Sequence, residues 1–396
     1  MAARKVTEEL ENTLLPLIQF EGGDQNHEGP TRALLWWLKR FSRLYAGVVQ
    51  LRLWLYAHGI LHRYPLGCQV ISVGNITAGG TGKTPMVEAL ARVLQREGRK
   101  VAILSRGYRK KEDSLGRKVR RRTLRKRPRI VSDGRHLLLD SEHSGDEPYM
   151  LASNLPGVAV LVDKDRVNSG RYAVRTFECD TLLLDDGFQY QRLKHRLDLV
   201  LVDYGNPFGN GNVLPRGILR EPLRNLRRAR FICITKVNGH DTAELRRRIR
   251  ELNPDAGLME CDHVPCLLRD AFTRAEQPLE ALRGKRVYAV AGIASPRSFE
   301  TSLEDLGATL VGRRHFADHH RYTQQEVIEM ANEAESLGAD MVVTTEKDAV
   351  RMPRFDRRPV PFVYLRIEIR FNSGLEEFER CVGLITHARR LEDTSA

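Results

Sequence analysis

The sequence has no C-x-x-C pair among its six cysteines (Cys68, Cys179, Cys233, Cys261, Cys266 and Cys381). That absence argues against a disulfide framework and fits a reducing, cytosolic compartment. Cys261-x-His263-x-x-Cys266 approaches a metal motif, but no second Cys/His pair at zinc spacing completes it, so these are read as partly buried thiols. The N-terminus, MAARKVTEELENTLLPLIQF, lacks an apolar core followed by small residues, so no secretory signal is expected. The Trp-rich stretch 33–61 is broken by charge before it reaches the roughly 18 apolar residues of a spanning helix. Acidic residues are in deficit, 51 against 64 basic, for a formal net charge of +13. An anionic partner is implied, whether nucleic acid, membrane surface or phosphorylated substrate. The densest basic run, KKEDSLGRKVRRRTLRKRPRIVSDGRH (110–136), has no interleaved aromatics, so base stacking is not indicated. It is read as a solvated loop with some attraction to anionic lipid, and no nucleic-acid partner is expected.

What is present is a core-forming chain: 396 residues, 41% hydrophobic and 29% charged, enough for two or three domains at roughly 150 residues each. From residue 69 onward short β-branched runs alternate with helical stretches: QVISV, VAIL, VAVLV, TLLL, DLVLV and FICIT, then VYAVAG, ATLVG, MVVTT and FVYL. Such alternation predicts α/β architecture with parallel sheets covered by helices. The expected order is a loosely held extension (1–29), an amphipathic helix (30–62), a first α/β domain (63–257), a linker (258–284) and a smaller α/β domain (285–396). In the helix, Trp37, Phe41, Leu44, Val48, Leu51 and Leu55 form one stripe, with Lys39, Arg40, Arg43 and Gln50 roughly opposite. The residues alone leave open whether the stripe packs on its own domain or meets a membrane surface.

GNITAGGTGKTP (74–85) follows a strand and leads into a predicted helix, the setting of a phosphate-binding loop. Gly79, Gly80 and Gly82, with Thr81 between them, let backbone N–H groups approach an anion, and Lys83 and Thr84 supply a phosphate contact and a Mg²⁺ hydroxyl. The glycine that the common pattern places five positions before Gly82 is Thr77 here. The run resembles the G-G-x-G-K-[ST] variant of some ATPases, with Ala78 at their signature lysine. TLLLDDGFQ ends an apolar strand on Asp185 and Asp186, as a Walker B strand does, to organise Mg²⁺. Together these predict a P-loop NTPase-like domain. SGDEP places Asp146 and Glu147 on an expected loop, and HFADHHRY places Asp318, His319 and His320 together, each a candidate for taking a hydroxyl proton. TKVN (235–238) differs from the guanine-reading T/N-K-x-D at Asn238, which argues against GTP.

SVGNITAGGTGKTP, LSRGY (104–108), GDEP, DKDRV (163–167), LDDGFQ, FGNGNVLPRGILRE (208–221), DHH and TTEKDAV (344–350) occur in the order found in the tetraacyldisaccharide 4'-kinases, and the chain resembles that family from about residue 33 to about 370. The resemblance implies transfer of the γ-phosphate of ATP, with Mg²⁺, to the 4'-hydroxyl of an acylated disaccharide 1-phosphate, making lipid IVA at the cytoplasmic face of a bacterial inner membrane. It implies membrane contact through 33–61 and no obligate protein partner. By matching motif, Asp146 is the base, His319 its tuning partner, Lys83 and Thr84 bind phosphate and metal, and Asp185 and Asp186 organise the metal. Arg106, Arg166, Glu221 and Asp318 contact anionic oxygens or support the site. Because His319 falls in the expected second domain, closure of the domains is expected to bring it to Asp146. Tyr190 stands where the family usually has His, and Ala317 where Pro is common. The competing expectation is a membrane-associated ATPase of the partitioning or metal-delivery kind with no lipid acceptor, against which Ala78 speaks.

Overall fold

The computed structural model describes residues 30–107, 127–353 and 359–386. The 1–29 extension and most of the basic 110–136 stretch lie outside them. The described chain divides into two compact units.

The first unit holds described residues up to 104, 170–262 and 371–386. Its centre is β1 (Gln69–Asn75), flanked by parallel β5 (Thr181–Asp185) and β6 (Leu197–Asp203). Strand β2 (Val101–Ser105) lies beyond β5, and β7 (Phe231–Thr235) then β8 (Gly257–Asp270) lie beyond β6. Strand β5 is buried at all five positions, as expected where helices cover both faces of a parallel sheet. Ile76, Phe188, Val200, Val202, Phe208, Ile232 and Ile234 form one core cluster beside helix α6 (Ala243–Leu252). Helix α2 (Lys83–Arg96) follows the glycine-rich loop and buries Met86, Val87, Leu90, Ala91 and Leu94.

The N-terminal helix α1 runs from Pro30 to Ala57. It is fixed by polar contacts: Ser42 Oγ donates to Val213 O (2.7 Å), Tyr45 OH to Arg220 O (3.0 Å), and Gln50 Nε2 to Asn225 Oδ1 (2.9 Å). The predicted apolar stripe is not its packed side. Trp37, Phe41, Leu44, Val48 and Leu51 are each more than half exposed, whereas Leu35 and Ser42 are buried. Among the described residues no helix is long and apolar enough to cross a membrane.

The second unit holds 105–169 and 263–370, less the undescribed residues. Its strand order is β11 (Thr309–His315), β10 (Arg286–Ala291), β12 (Met341–Thr345), β13 (Phe362–Ser373), then β8. Alternation along β10 feeds two cores. Val287, Ala289 and Ala291 pack with Phe299 and Leu303 of α7 (Pro296–Asp305). Tyr288 and Val290 pack with Val327, Met330 and Ala331 of α8 (Gln324–Ser336), the period-two signature of a strand buried on both faces.

Two expectations change. The end of the basic stretch is not loop: Arg129–Asp133 forms β3, antiparallel to β4 (Ala159–Val162), because Val131 is buried and the Arg129 guanidinium donates to His143 O. The stretch 258–284 carries the fourteen-residue β8, whose first part belongs to one unit and its remainder to the other.

Gly74 sets the spacing at the exit of β1. A Cβ there would lie 2.7 Å from Phe188 Cβ and 2.8 Å from the Phe188 backbone nitrogen. Gly74→Ala should destabilise the protein by about 2 kcal/mol through overpacking, read as a lower urea midpoint at unchanged slope.

Candidate active site

The phosphate loop is built by β1 and by the segment 216–221. Thr77 pairs with Leu219, Ala78 N–H donates to Ile218 O (2.7 Å) and Arg220 N–H to Ile76 O (2.8 Å). The position that lacks the common glycine is therefore extended, paired backbone, where glycine's freedom is not needed. The left-handed turn falls at Gly82 (φ 81°), directly before α2, and Gly79 also has positive φ (132°). The loop's carbonyls are clasped from β7: Lys236 Nζ donates to Gly80 O (2.8 Å) and Thr235 Oγ1 to Thr81 O (3.0 Å). Lys236 also pairs with Asp203. With the Gly80 and Thr81 carbonyls held from β7, the loop leads into the start of α2, where a helix N-terminus favours an anion.

Asp185 closes β5 opposite Val73 and is buried. Asp186 follows in the left-handed region (φ 56°), which turns its carboxylate onto Arg220 NH1 (2.7 and 2.8 Å) and within 3.8 Å of Lys83 Nζ. Glu221 is 1% exposed and fully engaged. It accepts from Gln189 Nε2 (3.0 Å), Asn225 Nδ2 (2.8 Å) and Arg228 NH2 (2.7 and 2.9 Å), while Gln189 also donates to Asn75 O (2.9 Å). Glu221 therefore braces the strand exits. Arg52 of α1 donates to Gln189 O (2.8 Å), tying α1 to the same brace.

The second unit carries the other cluster. Asp146 and Glu147 are not on a loop: they open helix α4 (Asp146–Asn154), capped by Gly145 (φ 96°) with Pro148 in the first turn. Acidic residues are favoured there by the helix dipole. Asp146 accepts from Arg351 Nε (2.8 Å) and Arg321 NH2 (3.1 Å), and its Oδ2 lies 3.3 Å from His319 Nδ1. His319 Nδ1 is also 3.1 Å from Arg351 NH2, so it donates to the carboxylate or accepts from the guanidinium, not both at once. Burial pushes the Asp146 carboxyl up, but the His319 hydrogen bond, the charge and hydrogen bond of Arg351 and the charge of Arg321 outweigh it and hold it below the usual carboxylate value. Both Asp146 and His319 lie in the second unit, so their pairing involves no closure between domains.

The remaining predicted residues disperse. Asp318 is half exposed and 3.8 Å from His319 Nε2, while His320 turns away to Glu326 (3.1 Å), beside the Thr323 cap of α8. Arg106 is exposed just past β2, and Arg166 is buried at the start of α5 (Arg166–Phe177); neither bonds to Asp146. Sequence reasoning missed Lys236, Arg220 and Arg351. Each stands inside or beside a motif, and Lys236 of TKVN serves the phosphate loop rather than a base. Among the described residues, Asp186, Lys236 and His319 are three of the six non-glycine residues with positive φ, the others being Glu178, Asn238 and Arg274.

These motifs match the family described as tetraacyldisaccharide-1-P 4'-kinase (LpxK) over residues 34–382. The chain belongs to this kinase family. Its relatives include tetraacyldisaccharide 4'-kinases of Anaeromyxobacter sp. (strain Fw109-5), 44% identical over 75% of this chain and 77% of the relative, and of Syntrophus aciditrophicus (strain SB), 39% identical over 87% and 91%. The crystal structure of LpxK from Aquifex aeolicus, an "apo" form in complex with ATP, is 29% identical, with a TM-score of 0.71 over 89% of this chain and 98% of that one. The α/β fold with a P-loop kinase domain is thereby established for this member of the family.

The low Asp146 pKa has a stability consequence. The ionised carboxylate stabilises the fold above its unfolded value near 3.9, and that contribution is lost as pH falls through the lower folded value. Denaturant midpoints of the native protein should therefore drop more steeply below about pH 4 than those of Asp146→Asn.

Proposed function

We infer that this kinase moves the γ-phosphoryl group of ATP to the 4'-hydroxyl of a tetraacylated disaccharide 1-phosphate, giving lipid IVA in lipid A biosynthesis. The bond between the γ-phosphorus and the β,γ-bridging oxygen breaks, a bond from the hydroxyl oxygen to that phosphorus forms, ADP leaves, and the hydroxyl proton passes to Asp146. In phosphoryl transfer the protein mainly positions groups and balances charge. The glycine-rich loop and Lys83 serve the β- and γ-phosphates, and Arg220 and Lys83 hold Asp186 beside them. Thr84, Asp185 and Asp186 would hold Mg²⁺. One hydroxyl and two carboxylates suit a cation that shares its remaining positions with water and phosphate oxygens. When bound, the cation neutralises charge on the phosphates. Asp146, kept ionised, accepts the acceptor's proton, and His319 orients it.

The observation that carries this reading is the Asp146–His319 pair. An ATPase of the partitioning or metal-delivery kind has no acceptor hydroxyl to deprotonate, and the position of its signature lysine is Ala78, whose N–H is spent on Ile218 O. The exposed stripe of α1, with Arg32, Lys39, Arg40 and Arg43 lining a shallow basic hollow beside Trp36, supports peripheral contact with an anionic membrane.

Mass spectrometry of the lipid precursor after incubation with enzyme, ATP and Mg²⁺ should show one added phosphate at the 4' end. Asp146→Ala should cut that turnover by about 10²–10⁴-fold with ATP affinity nearly unchanged; full activity would remove Asp146 as the base. Leu44→Glu combined with Trp37→Glu should weaken sedimentation with anionic vesicles by about tenfold, at an unchanged melting temperature because both side chains are more than half exposed.

A further inference from the structure

We propose that Arg351 is a positioning residue for the phosphoryl-transfer base, a buried fork that fixes Asp146 and His319 relative to each other. The inference rests on the reading of Asp146 as the base.

The Arg351 side chain is completely buried. A buried guanidinium is costly unless every arm is answered, and here the arms are divided. Nε donates to Asp146 Oδ2 (2.8 Å), NH2 meets His319 Nδ1 (3.1 Å), and NH1 donates to Asp348 Oδ1 and Gly292 O (3.2 Å each). Arg351 thus touches both members of the pair with one rigid planar group, which a lysine cannot reproduce.

Its own placement is fixed from behind. Asp348 has no exposed surface, belongs to the one-turn helix α9 (Glu346–Ala349), and its Oδ2 accepts from Gly292 N–H (3.0 Å) and Thr345 Oγ1 (2.6 Å). Gly292 follows directly on β10 and Thr345 ends β12. A Cβ at Gly292 would sit 2.8 Å from Asp348 Oδ1, so the close approach depends on glycine. The chain of contacts therefore runs from the ends of two central strands of the second unit, through Asp348 and Arg351, to the first residue of α4.

The other charged groups facing this point are Arg321, from the segment before α8, which donates to Asp146 Oδ1 (3.1 Å), and Asp318, 3.8 Å from His319 Nε2. Glu147, next to Asp146 on α4, is 3.5 Å from Lys347 of α9. Arg321 is over a third exposed and its charge is screened, whereas Arg351 is not. Arg351 is thus the principal cation acting on the base.

The test is the pH dependence of kcat and kcat/KM for lipid phosphorylation in native protein, Arg351→Lys, Arg351→Gln and Asp146→Ala, with thermal unfolding and ATP affinity measured alongside. Removing the cation weakens the ionised carboxylate, so the acid limb of the Arg351→Gln profile should move up by about one pH unit. Arg351→Lys keeps the charge, and Asp348 keeps its bonds from Gly292 N–H and Thr345 Oγ1. It should leave the acid limb near its native position while kcat falls about tenfold at unchanged KM, the mark of lost geometry rather than lost charge. A native-like acid limb in Arg351→Gln, or a pH-independent fall matched by lower thermal stability, overturns the positioning role while an inactive Asp146→Ala leaves the base reading standing. A fully active Asp146→Ala overturns both. If Arg351→Gln does not fold, Arg351→Lys decides alone: native kcat overturns the inference.

Discussion

One buried carboxylate constrains the nucleotide half of this kinase. Glu221 sits 1% exposed among Arg228, Asn225 and Gln189, and through Gln189 it reaches the last carbonyl of β1. A buried charge of this kind is tolerable only when its partners are all in place, and losing one partner costs roughly 3–5 kcal/mol. The two segments that supply those partners, the short helix Leu223–Arg228 and the turn holding Gln189, are therefore held in one arrangement with β1. That arrangement lets Leu219 pair with Thr77 and Arg220 reach Asp186. The phosphate loop takes its shape from outside itself, and this is why it manages without the glycine that stand-alone loops use.

The Asp146 cluster follows a parallel logic in the second unit. Asp146 is charged at a helix start, partly desolvated, and balanced by two guanidiniums and an imidazole. Desolvation and pairing oppose each other, and pairing wins, so the carboxyl is held below its usual value and stays ionised. The division of labour matches phosphoryl transfer. On the proposed reading, Lys83 and Arg220 of the first unit serve phosphate charge and Asp146 of the second takes the proton. Of the six non-glycine residues with positive φ among those described, Asp186, Lys236 and His319 fall within these two clusters, while Glu178, Asn238 and Arg274 lie outside them.

Much was legible before any coordinates. The ten β-branched runs all became strands, since a parallel sheet buried on both faces writes itself as short apolar segments between helices. The glycine-rich loop and Asp185–Asp186 were legible from residue type and order, whereas the pairing of Asp146 with His319 came only from the family resemblance. The misses share a cause. Strand β3 hides in an Arg-rich run because only Val131 and the Arg129–His143 contact mark it. The long β8 hides behind proline and mixed polarity. The helix stripe was visible, but which way it faced was not, since periodicity defines a face and not its neighbour.

The sequence alone determined the family, the alternating α/β order and the chemically obligatory residues, because these depend on local propensity and on functional groups that have few substitutes. Only the tertiary structure decided that Lys236 and Thr235 clasp the phosphate loop, that Glu221 braces the strand exits, and that Arg351 joins Asp146 to His319. Each of these links residues separated by at least 30 positions, at hydrogen-bond distances set by sheet order and burial. A guanidinium on a surface and one buried between two carboxylates are the same letter, and desolvation is what separates them.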